Sequence, residues 1–280
     1  MLLAETRASP DSIERRVAFS RRVGVYIPEG EIGEVELAEL RSTSYRVGVF
    51  GPKKDERDTV SRLAVKIGGV VSLDSPAYEV TVFQGERSYL GITRPSSMRQ
   101  GWSTRRPRIR AFFHPSAIFP KLSRALVNFS GVQEGEVFLD PFCGTGSLLI
   151  EASVIGVEPV GMDLARKMVR GAKRNAAQLG QEWLGIVRSD ARRFPLRRAD
   201  AIATDVPYGR ASSTGGRDTS SILSELIANA GDVLPRGRRL VVMHPESLPL
   251  DPGGLFRAEQ EHRFYVHHKL TRAITVLRRE

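Results

Sequence analysis

The chain has 280 residues, enough for two modest domains, and its 41% hydrophobic and 26% charged residues are typical of a soluble globular protein. No apolar run approaches the roughly 20 residues of a membrane helix, and the first ten residues lack the pattern of a secretory signal. The single cysteine, Cys143, excludes an internal disulfide and offers no metal cluster. We therefore expect a cytoplasmic protein that binds neither a membrane nor a metal.

The charge balance is strongly basic, with a formal net charge of +10 and a pI near 10.1. No acidic residue occurs between Glu86 and Glu134, an interval rich in arginine. Such a surface attracts nucleic-acid phosphates, and Trp102, Phe112 and Phe113 could stack on bases nearby. The candidate RNA contacts are Arg105, Arg106, Arg108, Arg110, His114 and Lys121. A solvated basic linker is the alternative.

The first 95 residues predict a small α/β domain after a segment with few structural signals. Residues 1–40 form that segment, with a strand pair predicted over Val17 to Ile27. In residues 41–95 we expect a strand at 45–50, a helix from Asp55 stopped by Gly68-Gly69, and strands at 70–73 and 78–83. Residues 96–115 contain several prolines and arginines, which predicts a basic linker.

From residue 116 onward, strands and helices alternate, which predicts a mainly parallel sheet with covering helices. Helices are expected at 118–129, 148–155, 164–179 and 220–233, strands at 137–139, 160–163, 185–188, 201–204 and 240–244, and a closing hairpin at 264–277. Acids stand at four predicted strand ends: Asp140, Asp163, Asp190 and Asp205. Ligands of such sheets bind at these ends.

The first of these strands runs into a glycine turn and then into a helix, an arrangement that suits a nucleotide-like ligand. The candidate cofactor residues are Asp140, Pro141, Phe142, Cys143, Gly144, Thr145, Gly146, Asp163, Asp190 and Ala191. Asp163 follows the turn by about twenty residues, the spacing at which an acid reaches ribose hydroxyls. A NAD enzyme is an alternative, but the turn lacks the third glycine of the dinucleotide fingerprint.

The glycine turn, followed by Asp205-Val206-Pro207-Tyr208, resembles the S-adenosylmethionine-dependent amino-methyltransferases. The chain is most similar to the archaeal tRNA guanine-10 N2-methyltransferases with a THUMP domain, also at Phe112–Pro115, Pro120–Leu122 and His268–Arg272. The resemblance implies an α/β fold in which residues 116–280 form a Rossmann-like class I methyltransferase domain. This domain has a mainly parallel seven-stranded sheet with a C-terminal hairpin. A THUMP-like RNA-binding domain over 41–95 and a reduced or truncated ferredoxin-like part in 1–40 are expected to precede it.

The same resemblance implies the chemistry. S-adenosylmethionine is the expected cofactor and tRNA the expected partner. Asp205 and the backbone carbonyl of Val206 would accept hydrogen bonds from the target amine, and Tyr208 would stack on a flipped-out base. Most relatives carry a second proline at the position of Val206, but Pro207 still favours an extended Val206. Cys143 is expected to be a small loop residue and not a nucleophile.

Two alternatives stay open. The acceptor could be another nucleic acid, such as rRNA or DNA, or a protein glutamine. The protein could also be an RNA-binding module whose methyltransferase domain is catalytically inactive.

Overall fold

The structure, a computed structural model, describes residues 6, 8–19, 23–51, 56–94, 98–207, 218–267 and 270–280. The chain separates into two compact units, Met1–Gly101 and Trp102–Glu280. In the described ranges, no helix is long and apolar enough to cross a bilayer.

The first unit is a small α/β structure. Its helices are α1 (Pro10–Arg16), α2 (Glu34–Arg41) and α3 (Glu56–Ile67), and its strands are β1 (Val25–Pro28), β2 (Ser44–Phe50), β3 (Val70–Val71), β4 (Tyr78–Phe83) and β5 (Tyr89–Thr93). The sheet order is β1-β5-β4-β2-β3. Strand β2 is parallel to β3 and β4, whereas β5 is antiparallel to β1 and β4.

The core of this unit does not divide at residue 40. Leu37 and Leu40 of α2 pack with Tyr45 of β2 in one buried cluster, and β1 pairs with β5 in the same sheet. The left-handed glycines Gly68 and Gly69 end α3, as the sequence predicts. Asp55 lies outside the described residues. Of the strand pair expected over 17–27, the structure has β1, whereas Val17 directly follows α1. The THUMP-like character of this unit stays a prediction.

The second unit has the predicted α/β architecture. Its helices are α4 (Met98–Thr104, which begins just before the unit), α5 (Pro120–Phe129), α6 (Ser147–Val154), α7 (Arg166–Gln178) and α8 (Thr219–Val233). Its strands are β6 (Val137–Asp140), β7 (Glu158–Asp163), β8 (Gly185–Arg188), β9 (Ala201–Asp205), β10 (Arg239–Pro245), β11 (Phe256–His267) and β12 (Leu270–Arg279).

These seven strands form one sheet in the order β11-β12-β10-β9-β6-β7-β8. Strands β6 to β10 all run parallel to one another. In this sheet, only the pairings made by β12, with β10 and with β11, are antiparallel. The chain order reverses between β6 and β9, which opens a crevice at the carboxyl ends of these two strands. The mainly parallel sheet and the C-terminal hairpin confirm the predicted fold class.

Successive residues of the central strands point into two different cores. Phe138 packs on the side that contains Leu126 of α5 and Leu149 of α6. Its neighbour Leu139 packs on the side that contains Leu226 of α8. Burial on both faces explains why these strands read as short continuous apolar runs in the sequence.

Residues 102–110, which fall in the predicted basic linker of 96–115, belong to the second unit and pack into it. Arg105 Nε donates to Glu151 Oε1 at 2.7 Å, and Arg124 Nη2 donates to Glu151 Oε2 at 2.9 Å. The Glu151 and Arg124 side chains are fully buried. The Trp102 ring lies against both guanidinium groups, at 5.0 Å from Arg105 and 5.4 Å from Arg124. The prolines end regular structure here, but α4 and this buried cluster order the segment.

We expect Glu151→Ala to lower the free energy of unfolding of this unit by about 3–5 kcal/mol, because it leaves two buried cations without the carboxylate that binds both. Denaturant unfolding followed by tryptophan fluorescence measures this unit, since both tryptophans, Trp102 and Trp183, belong to it. The control is Glu280→Ala, which breaks the exposed pair with Arg257 and should change stability by at most about 1 kcal/mol. If both substitutions lower the free energy of unfolding equally, the buried cluster does not stabilise the unit more than an exposed ion pair does.

Candidate active site

The turn between β6 and α6 is anchored to the neighbouring strand and to Trp183. Gly144 (φ 52°) and Gly146 (φ 82°) adopt the left-handed conformation that favours glycine. The amide of Cys143 donates to the carbonyl of Met162 in β7 at 2.9 Å. A Cβ at Gly146 would lie 2.6 Å from the Trp183 ring, so no larger residue fits. The turn therefore presents backbone groups, and not side chains, at the start of α6.

Asp163, at the end of β7, binds the glycine turn directly. Its Oδ2 accepts from the amide of Gly144 at 3.0 Å and its Oδ1 from the amide of Ala165 at 2.8 Å. Burial raises the pKa of Asp163, although these two hydrogen bonds oppose the shift. Each carboxylate oxygen has a second lone pair, so Asp163 can still accept a hydrogen bond from a ligand.

Asp140, at the end of β6, is almost completely buried. Its Oδ1 accepts from the Thr204 hydroxyl at 2.6 Å and from the Phe142 amide at 3.2 Å. Burial raises the pKa of Asp140 to about 7, and the negative charges of Asp205 and Asp163 add to that shift. The carboxyl ends of these strands thus form a region in which further negative charge is unfavourable and positive charge is welcome.

Asp190 and Ala191 follow β8 at the same edge of the sheet. Asp190 Oδ1 accepts from the amide of Arg192 at 3.1 Å, and Oδ2 pairs with the Arg192 guanidinium at 3.0 Å. Arg192 is exposed, so this ion pair holds the carboxylate only weakly.

These groups surround a cavity of about 610 Å³, a size typical of small-molecule sites. Every candidate cofactor residue except Gly146 lines it, and Gly146 lies beneath, against Trp183. The same cavity is also lined by Asp205, Val206, Pro207 and Arg272, and by residues 114–118. The fold therefore brings the glycine turn and the Asp205 turn, some sixty residues apart in sequence, into one cavity.

Asp205, at the end of β9, forms a two-pronged ion pair with Arg272 of β12. Arg272 Nη1 donates to Asp205 Oδ2 at 2.9 Å, and Nη2 donates to Oδ1. Paired hydrogen bonds of this kind fix the orientation of a carboxylate. Burial raises the pKa of Asp205 to about 6, and the positive charge and hydrogen bonds of Arg272 oppose the shift. The contact with Arg272 therefore stabilises the ionised form of Asp205.

The two residues after Asp205 continue the wall of the cavity. Val206 is fully buried, and its amide donates to the carbonyl of Met243 in β10 at 3.0 Å. Pro207 lines the cavity next to it. Tyr208, the predicted stacking residue, lies outside the described residues.

The predicted RNA-contacting arginines separate into two groups, and this corrects the sequence-based expectation. Arg106 and Arg108 are exposed. Arg105 and Arg110 are buried: Arg105 binds Glu151, and Arg110 Nη1 donates to the Ser147 hydroxyl at 2.8 Å. Burial also lowers the pKa of Arg110 to about 10. These two arginines support the interior behind the glycine turn and do not present their charge to a ligand outside.

The remaining predicted residues lie in or near the cavity. His114 is half-buried, lines the cavity and contacts the Ser116 hydroxyl through Nδ1 at 2.7 Å. Lys121 is half-buried on α5. Burial raises the pKa of the Cys143 thiol well above its usual value, which keeps the thiol neutral and fits a packing residue better than a nucleophile.

Sequence reasoning did not assign roles to Arg272 and Thr204, although both bind acids of the cavity. Arg272 is 67 residues from Asp205 in sequence. One signal was present: Arg272 alternates with Ile274 and Val276, which face the core. A cation in the inward row of a strand needs a buried anion. Thr204 offered no comparable signal, because threonine is common in strands.

The sheet order, the closing antiparallel strand and the glycine turn together define a class I methyltransferase. A sequence profile of the UPF0020 family, described as an RMKL-like methyltransferase domain, matches residues 107–274, more than half of the chain. This protein therefore belongs to that methyltransferase family.

Two relatives of this chain are tRNA (guanine(10)-N2)-dimethyltransferases. The protein from Methanothermobacter thermautotrophicus is 38% identical over 184 residues, which cover 65% of this chain and 55% of the relative. The one from Methanocaldococcus jannaschii is 31% identical over 260 residues, covering 85% of this chain and 71% of the relative. This chain thus spans about half the length of the first relative and somewhat over two thirds of the second.

Among solved structures, TrmN from Thermus thermophilus superposes on this chain with a TM-score of 0.54 at 22% identity. The match covers 99% of this chain and 88% of the crystallised one. At this identity the likeness supports the fold alone.

We expect Arg272→Gln to raise the pKa of Asp205 above its value of about 6, because the change removes the cation that opposes the effect of burial. The acid-side fall of the methyl-transfer rate should then move to higher pH, since a larger fraction of Asp205 is protonated at each pH. A carboxyl-carbon NMR titration, with Asp205→Asn to assign the signal, measures the pKa directly. The control is Arg263→Gln on β11, which breaks an exposed pair with Glu246. A pKa unchanged by Arg272→Gln would rule out the coupling.

Proposed function

We propose that this protein transfers methyl groups from S-adenosylmethionine to the exocyclic N2 of a guanine in tRNA. The observation that carries the proposal is the shared cavity, which is lined both by the glycine turn of a methyltransferase and by Asp205, Val206 and Pro207. The printed names of the two archaeal relatives support guanine N2 of tRNA as the acceptor.

The residues of the cavity fit S-adenosylmethionine. Asp163, which binds the glycine turn through the Gly144 amide, would accept hydrogen bonds from ribose hydroxyls, and Asp190, which lines the same cavity, would accept one from the adenine amino group. The acids Asp140, Asp163 and Asp205 favour a ligand that brings positive charge. When bound, the cofactor supplies a methyl group already activated on a sulfonium.

The acceptor side has to make a poor nucleophile reactive. The N2 lone pair of guanine is delocalised into the ring. Two acceptors, the Asp205 carboxylate and the Val206 carbonyl, would bind the two N–H bonds, draw the nitrogen toward tetrahedral geometry and expose its lone pair. Tyr208 would stack on the base once it has left its helix. The chain mostly supplies alignment, and such positioning removes a large part of a barrier.

Arg272 makes Asp205 suited to this role. It keeps the carboxylate ionised and fixes its plane, and each oxygen retains a lone pair for the target amine. With a pKa of about 6, Asp205 is also able to take the proton that the amine releases after transfer.

The proposal is tested with purified protein, tritiated S-adenosylmethionine and an unmodified tRNA transcript. We expect label in N2-methylguanosine, and no label in a transcript with adenine in place of guanine 10. If only rRNA, DNA or a protein glutamine becomes labelled, tRNA is not the acceptor, but the proposed methyl transfer to an amine is retained. A chain that binds the cofactor but labels none of these would overturn the proposal, and one that binds RNA without the cofactor would be an inactive module.

We expect Asp163→Ala to weaken S-adenosylmethionine binding by about 1–3 kcal/mol, because it removes a partly buried acceptor and the hydrogen bond that holds Gly144. Isothermal titration calorimetry measures the change. The matched control is Asp232→Ala, which removes an exposed acid of α8 and should leave affinity unchanged. Equal affinities of the Asp163→Ala variant and the parent would remove Asp163 from the site.

We expect Asp205→Ala to bind the cofactor nearly as the parent does but to lose methyl transfer, because one reactant is no longer aligned, an effect worth up to ~7–11 kcal/mol. Single-turnover methylation of unmodified tRNA measures this step. Tyr208→Ala should also weaken capture of the base, by about 1–3 kcal/mol, whereas Tyr208→Phe should be mild. A near-parental rate for Asp205→Ala would exclude the amine-binding role.

A further inference from the structure

The exposed face of helix α7 carries positive charge without any acid. Its cations are Arg166, Lys167, Arg170, Lys173 and Arg174, all exposed, and we call this set the α7 basic face. The opposite face of the helix packs into the unit through Val169, Ala172 and Ala176. In the part of the chain that the structure describes, no carboxylate lies within ion-pair distance of these five cations.

This arrangement is unfavourable for the helix taken alone. Arg166, Arg170 and Arg174 follow one another at a spacing of four residues, where like charges repel. Arg166 and Lys167 also stand in the first turn, where the positive end of the helix dipole disfavours cations. An external polyanion would relieve both effects.

Other arginines of the second unit differ from those of α7, because carboxylates of the protein neutralise them. Arg238 pairs with Glu136 at 2.7 Å and Arg239 with Glu259 at 2.8 Å. Arg278 also pairs with Glu259, at 3.2 Å. The basic character of the second unit is therefore concentrated on particular surfaces, of which the α7 basic face is a dense example.

Residues 109–112 run alongside α7 and extend this surface beyond the C-terminal end of the helix. Gln178 Nε2 donates to the carbonyl of Ile109 at 3.0 Å, and Asn175 exchanges two hydrogen bonds with the backbone of Phe112, at 2.7 and 3.0 Å. The Phe112 ring rests on Gly171, where a Cβ would lie 1.9 Å from it. The exposed Arg106 and Arg108 immediately precede this segment.

The other end of the surface reaches the cavity. Lys167 lines the cavity, with its Nζ 6.0 Å from the centre of the Phe112 ring. Phe113 follows with 47% of its surface exposed, and His114 is the first residue of the cavity wall after it. A basic strip with an exposed aromatic ring thus leads to the mouth of the cavity.

We propose that the α7 basic face, with Arg106 and Arg108, binds the phosphate backbone of the RNA strand that carries the target base. This inference rests on the proposed function and adds the path of the substrate. From Arg166 to Arg174 the face spans about 12 Å, at 1.5 Å per residue, so its cations contact successive phosphates. Phosphate contacts set the register of the strand without reading its sequence, and Phe113 stacks on a base beside the target.

A lipid surface fits these observations less well. A helix that binds at a membrane interface inserts its apolar face between the lipids. The apolar face of α7 is already buried in the protein, so only charge is left for a membrane.

The test replaces Arg170, Lys173 and Arg174 with glutamine, because none of the three lines the cavity. The control triple, Arg197→Gln, Arg236→Gln and Arg257→Gln, removes the same formal charge from exposed positions outside α7. Anisotropy of a labelled tRNA transcript gives the affinity over a range of salt concentrations. Calorimetry with S-adenosylmethionine checks that the cavity is intact, and tryptophan fluorescence checks folding.

We expect the α7 triple to bind tRNA at least tenfold more weakly at low salt, with a slope of log affinity against log salt reduced by two to three, roughly one for each lost phosphate contact. Its KM for tRNA should rise while cofactor affinity stays that of the parent. The control triple should change the slope by less than one. If the α7 triple does not fold, Arg170→Gln and Arg174→Gln are measured singly, each with an expected slope change of about one.

Equal slopes for the two triples would overturn the inference, since net charge alone would then explain the effect. If the α7 triple loses binding to phosphatidylserine vesicles but still binds tRNA like the parent, the inference is wrong and the α7 basic face binds a membrane. If the parent protein binds tRNA through α7 but never methylates it, the proposed function is wrong, whereas the inference that the α7 basic face binds RNA is retained.

Discussion

The ion pair between Asp205 and Arg272 joins a central parallel strand to the antiparallel hairpin that closes the sheet. Asp205 ends a central parallel strand, and Arg272 lies on the antiparallel strand that closes the sheet. Without the hairpin, Asp205 would stand as a third buried carboxylate beside Asp140 and Asp163, and burial would drive its pKa higher still. The C-terminal hairpin therefore contributes the side chain of Arg272 to the cavity.

The crowding of acids at one edge of the sheet is a consequence of the fold. Parallel strands all end at the same edge, and three of them end in an aspartate that is partly or wholly buried. Backbone amides, a threonine hydroxyl and one arginine compensate these charges separately. The mutual repulsion that remains between these carboxylates would be relieved by a cationic ligand.

Much of this could be predicted from the sequence, because its signals are local. Strand-end acids, the glycine turn and the alternation of strands and helices each depend on neighbouring residues. The predictions that failed concern contacts between residues that are far apart in the sequence. Burial of Arg105 and Arg110 follows from Glu151 and Ser147, about forty residues away, and an arginine-rich segment looks the same in sequence whether it faces water or the core. The role of Arg272 likewise depends on which strand pairs with β10.

The positions of Trp102 and Arg105 determine where a shortened version of this domain can begin. The family match begins at residue 107, yet these two side chains pack on Glu151 and Arg124 from outside that match. A shortened protein that starts at the matched boundary would keep a buried carboxylate and lose one of the cations that surround it. The physical edge of the folding unit thus lies several residues before the edge that sequence similarity marks.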